Sequence, residues 1–81
     1  IERNYKEHKM IPQLDLHGVK HEDVGRQCDK FMSSIWGNYD CVDIITGNST
    51  QMRKLVISAL DYYDVEISMS MNKPAVLRIY L

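Results

Sequence analysis

Eighty-one residues carrying ten basic and eleven acidic side chains, with 44% hydrophobic content, describe one small domain of ordinary globular composition, not a disordered chain or a polycation. Two cysteines make no disulfide framework, and no apolar run approaches the ~20 residues that span a bilayer. A soluble, cytoplasmic protein without membrane contact is expected, and any nucleic-acid site must be a local patch, because the net charge is only −1.

Residues 1–12 mix charges without a period and end at Pro12, so they are expected as an arm or linker, with 13–81 as the folded domain. The chain starts at Ile1 without an initiator methionine, so either a fragment of a longer polypeptide or a trimmed chain is expected. In the run 14–17, alternation puts Leu14 and Leu16 on one face of a short strand and Asp15 and His17 on the other. Between 21 and 36, Val24, Cys28, Phe31, Met32, Ile35 and Trp36 recur at helical spacing. Glu22 and Asp23 suit the first turn of that helix, and Gly37-Asn38 suit its stop.

The β-branched run 41–46 predicts a second strand, and Gly47 predicts a turn after it. Met52, Leu55, Val56, Ala59, Leu60 and Tyr63 predict a second helix over 51–63, capped by Ser49 or Thr50. Residues 65–71 and 76–81 read as two strands joined by a turn through Asn72, Lys73 and Pro74. The order β-α-β-α-β-β, with tight pairing of the last two strands, predicts an α+β two-layer sandwich: a four-stranded mixed sheet with two helices on one face. Cys28 and Cys41 are expected as two core thiols in preference to a disulfide or a metal site.

In an open sheet of this kind, ligands gather where the parallel strands end and their loops converge. The first such loop is Asp15-Leu16-His17-Gly18. The second is Thr46-Gly47-Asn48-Ser49-Thr50, followed by Arg53 and Lys54. A glycine turn with hydroxyls, helix-start amides and two cations has the ingredients of a phosphate cradle, and histidine suits proton transfer near neutrality. Each feature also has a plainer reading. Ser49 and Thr50 suit a helix cap, Asp15 suits a cap or a lysine partner, and His17 suits a structural imidazole. His17 and His21 stand four apart, but Gly18-Val19-Lys20 between them reads as a strand-to-helix turn, and no Cys-x-x-Cys occurs, so no metal-ligand set is expected.

With these motifs in hand, residues 13–81 resemble the small MutS-related (Smr) domain family. The LDLHG signature stands intact at 14–18, followed by Glu22-Asp23. The family's second motif, His-Gly-x-Gly, reads here Thr46-Gly47-Asn48-Ser49, so only its first glycine is kept. Thr50, Met52, Arg53 and Leu55 fit the family's helix start, and the closing AVLRIYL is similar to its last strand. The resemblance implies a sandwich like the C-terminal domain of a bacterial translation initiation factor, with sheet order 1-2-4-3 and the fourth strand antiparallel.

It also implies binding of DNA or RNA and, in many members, endonuclease cleavage, with Mg2+ or Mn2+ as the divalent ion where one is used. Carried over by position, Asp15 and His17 are the candidate catalytic pair, and Gly47 with Arg53 lies on the phosphate side. Gly18, Thr46, Asn48, Ser49, Thr50 and Lys54 complete the expected nucleic-acid-binding set. Thr46 cannot replace a histidine in proton transfer, which keeps a non-catalytic nucleic-acid-binding module as the alternative to an endonuclease. A protein-interaction domain using the arm and an exposed aromatic such as Trp36 or Tyr39 is a third reading.

Overall fold

The computed structural model describes residues 11–69 and 75–81, so most of the expected arm and the turn through Asn72, Lys73 and Pro74 lie outside the described residues. Strands β1 (Gln13–Asp15), β2 (Cys41–Ile45), β3 (Glu66–Met69) and β4 (Val76–Tyr80) form one sheet in the order β1-β2-β4-β3. β1 and β2 are parallel, and β4 is antiparallel to both β2 and β3. Helices α1 (Val24–Ile35) and α2 (Thr50–Leu60) connect the strands, with a short 3-10 turn at His21–Asp23 leading into α1. The architecture is the α+β two-layer sheet expected from the sequence, with the 1-2-4-3 order that the resemblance implies.

Register explains which residues meet the helices. Val42, Ile79 and Ile67 lie in one row across the sheet, and Leu14, Ile44, Leu77 and Met69 in the next. Paired residues share a face, so these rows make an apolar layer. Val24, Cys28, Met32 and Ile35 from α1 and Met52, Val56 and Leu60 from α2 close over it, all buried. Leu16 is fully buried one residue past β1, where its N–H donates to Ile45 O at 2.9 Å and extends the parallel ladder.

The opposite face carries the polar partners of those rows. At its centre the Arg78 guanidinium grips Asp43 with two parallel bonds, Nε to Oδ1 at 2.8 Å and Nη2 to Oδ2 at 3.0 Å. The two are directly paired across β2 and β4. Hydrogen bonding to the carboxylate and its charge raise the Arg78 pKa above its ordinary value. Asp43 is buried despite lying away from the helices, and this bidentate contact satisfies it.

Three expectations change on contact with the fold. Trp36 was expected on the buried stripe, but α1 ends at Ile35 and Trp36 turns to an extended ψ of 129°, leaving it half exposed. α2 ends at Leu60, so Tyr63 lies beyond it and packs only half-buried against the core. Cys41 was expected in the core beside Cys28, but strand alternation turns it to the face opposite Val42, and it is only partly buried. Cys28 is fully buried on α1, and burial, with the nearby Asp29 charge, pushes its thiol up to about 11. Among the described residues no helix is long and apolar enough to cross a membrane.

Candidate functional site

Because β1 and β2 are adjacent and parallel, with Asp15 opposite Ile45, the turn after β1 and the loop after β2 leave the sheet side by side. The first turn is built locally. The His17 N–H donates to Asp15 Oδ1 at 2.9 Å, and Val19 N–H donates to Leu16 O at 3.0 Å. Gly18, at φ +81°, lets the chain reverse there, a conformation that costs an ordinary residue about 1–2 kcal/mol. Leu16 holds the turn down in the core. Asp15 and His17 are both exposed, so the strand presents an acid and an imidazole to solvent, one carboxylate oxygen being committed to the turn.

The second loop is held by residues far away in sequence. Ala75 O, just before β4, accepts the Thr46 N–H at 2.7 Å and the Gly47 N–H at 3.1 Å. The Thr46 hydroxyl donates toward Gly47 O at 3.0 Å and Ala75 O at 3.2 Å, and the residue is only 4% exposed. The structure therefore puts Thr46 beneath the loop surface, and the amide of Gly47 is spent on the sheet. Gly47 takes φ +70°.

Beyond it, Ser49 caps α2 by accepting the Met52 N–H at 3.0 Å, and Arg53 N–H donates to Ser49 O at 3.1 Å as the first helical bond. Asn48, Ser49 and Thr50 are exposed at this helix start, whose outward amides and dipole favour an anion. The Arg53 guanidinium folds back over the loop, with Nη1 3.4 Å from Gly47 O and Nη2 3.2 Å from Thr50 Oγ1. It braces the loop and keeps a positive charge beside it. Lys54 is exposed on the next position of the helix.

Of the residues expected at the site, Asp15, His17 and Gly18 therefore gather on the first turn, and Gly47, Asn48, Ser49, Thr50 and Arg53 on the second. An open depression of about 480 Å³, lined by Val19, Lys20, His21 and Glu22, continues from the first turn. Lys20 adds an exposed cation there that the motif reading passed over, although its place just after LDLHG-Val was visible in the sequence. Among the described residues no group of three or more His, Cys, Asp or Glu side chains could hold a metal ion. No family model, curated protein or solved structure matches this chain.

Proposed function

We propose that the chain is an Smr-type nucleic-acid-binding domain that seats a backbone phosphate where the two loops leave β1 and β2. The observation that carries this reading is the adjacency of those exits. The LDLHG turn, with an exposed imidazole, runs beside a capped helix start attended by Arg53 and Lys54. Phosphate oxygens would meet the α2 amides and the two cations, and Lys20 would add a contact on the other side. An intracellular, cytoplasmic setting belongs to the same proposal.

The first test is fluorescence anisotropy with DNA and structured RNA at several salt concentrations. Binding should weaken as salt rises, and Lys54→Ala should lower the salt slope by about one unit, uniformly across unrelated sequences. Affinity that ignores salt would sink the proposal.

Endonuclease cleavage is the second reading, favoured by the exposure of Asp15 and His17 on the neighbouring turn. His17 would transfer a proton to or from the oxygens around the scissile phosphorus, while Asp15, through its bond to the His17 amide, fixes the turn that aims the ring. Incubating the protein with supercoiled plasmid and structured RNA, with Mg2+, Mn2+ or chelator, separates an enzyme from a binder.

A further inference from the structure

The end of the domain opposite the two loops carries a different chemistry. Each helix runs back from the end of a parallel strand, so α1 and α2 both finish there, about 18 Å away by the rise of the twelve-residue α1. Trp36 is 50% exposed and Tyr62 is 87% exposed just past the helix ends. Tyr63 lies between them, its ring centroid 5.9 Å from Trp36 at an interplanar angle of 38° and 5.3 Å from Tyr62 at 86°. Three rings thus make one continuous patch, half of it in water. Exposed aromatic clusters of this kind mark contact surfaces more often than chance.

The charges around the patch say what it would accept. The Tyr63 hydroxyl donates to Asp29 Oδ1 at 3.0 Å, which brings the α1 carboxylate to the ring edge. Asp61 and Asp64 flank the tyrosine pair in sequence and are exposed. Neither forms an ion pair with another of the described residues. From Leu55 through Met69 the chain has no lysine or arginine at all. The carbonyl ends of two helices add partial negative charge in the same place. Ring faces, carboxylates and helix C-termini all attract cations and repel phosphate, so stacked nucleobases on a phosphate backbone are the poorer match.

We propose that Trp36, Tyr62 and Tyr63, with Asp29, Asp61 and Asp64, form a docking site for an arginine-bearing peptide segment of a partner protein. A guanidinium lies flat on an aromatic ring and pairs its edge with a carboxylate, a combination that the more hydrated lysine ammonium makes less well. This surface is separate from the phosphate site and does not depend on it.

Trp36 is the chain's single tryptophan, so its emission reports on this patch alone. The whole chain is titrated with a Gly-Arg repeat peptide, a Gly-Ser repeat peptide and oligothymidylate. The Gly-Arg peptide should change Trp36 emission saturably and weaken with salt. Its apparent affinity should fall about tenfold or more in Tyr62→Ala and in the double variant Asp61→Asn with Asp64→Asn. All three side chains are exposed, so the variants keep the fold, which far-UV circular dichroism verifies. An equal response to the Gly-Ser peptide, no response at millimolar Gly-Arg peptide, unchanged affinity in both variants, or a stronger response to oligothymidylate would each overturn the proposal.

Discussion

The turn after β1 and the loop after β2 leave neighbouring strands in the same direction, and each reverses at a glycine of positive φ. They are stabilised in opposite ways. The first closes on itself, through the bonds of His17 N–H to Asp15 and of Val19 N–H to Leu16, and sends its polar side chains into solvent. The second is clamped from outside by Ala75 and Arg53, and its one buried polar side chain, Thr46, is turned inward. A turn that satisfies its own backbone leaves side chains to meet a ligand, whereas a loop held by tertiary bonds offers a rigid frame and the amides at the next helix start. If the domain binds phosphate, the second loop supplies the seat and the first supplies any chemistry.

The sharpest way to break the contrast is to remove the first turn's anchor. Leu16 is fully buried, so Leu16→Ala should cost about 2–5 kcal/mol in urea unfolding, a large share of the stability of a domain this size. Asp15→Asn should cost far less, because an asparagine oxygen can still accept the His17 N–H. Equal losses would mean that the Asp15 carboxylate anchors the turn as strongly as Leu16 does, and that asparagine cannot replace it in the bond to the His17 N–H.

The glycines come next. A Cβ at Gly18 or Gly47 would meet nothing within 4 Å, so backbone strain alone decides the cost of alanine at either position. Gly18→Ala and Gly47→Ala should each destabilise by about 1–2 kcal/mol, visible as a lower urea midpoint with an unchanged slope. A much larger loss at Gly47 would mean that the clamp onto Ala75 depends on this one φ, and that the second loop is more brittle than the first.

How far the sequence reveals this follows from the range of each interaction. Local patterns carried the fold: the Leu14 and Leu16 alternation, the Val24-Cys28-Met32-Ile35 stripe and the Ser49 cap all depend on residues within a turn or two of one another. Asp43 with Arg78 could not be read that way, since they are 35 residues apart and meet only through the register of β2 on β4. Thr46 was legible as a motif position but not as a buried one, because its burial depends on where β4 begins. Trp36 fitted the helical period and still fell outside, since the helix stopped one residue short of it. Adjacency of the two loops followed only from the 1-2-4-3 order that the family resemblance implies, and the commitment of the Gly47 amide and the Arg53 guanidinium was not legible at all.

Ser49→Ala tests the seat at smaller scale. Losing the bond to the Met52 N–H should cost about 1 kcal/mol of stability, while Ser49→Gly should cost only a few tenths because glycine leaves the helix start open to water. The pair separates a cap from a ligand contact. If both weaken nucleic-acid binding equally while differing in stability, the hydroxyl itself touches phosphate.

The smallest expected effect on stability is the one that decides the chemistry. His17 is exposed and its backbone amide, not its ring, holds the turn, so His17→Ala should shift unfolding by less than about 0.5 kcal/mol. If the domain cleaves nucleic acid, the same change should lower the rate by roughly 10²- to 10⁴-fold with binding nearly intact, as expected for loss of a general acid or base. If the wild type binds but does not cleave, and the proposed Smr reading holds, Thr46 at the position of the family's second-motif histidine is the next suspect, and Thr46→His with Ser49→Gly would build that motif. The geometry makes this change costly. Thr46 is buried with its hydroxyl on Ala75 O, so an imidazole there must push the loop outward, and about 1–3 kcal/mol of stability should be lost even as activity appears. Activity gained at that cost would show that a buried threonine had disarmed the second loop. Continued inactivity, with the variant folded and still binding, would leave a binding module whose exposed His17 performs no proton transfer.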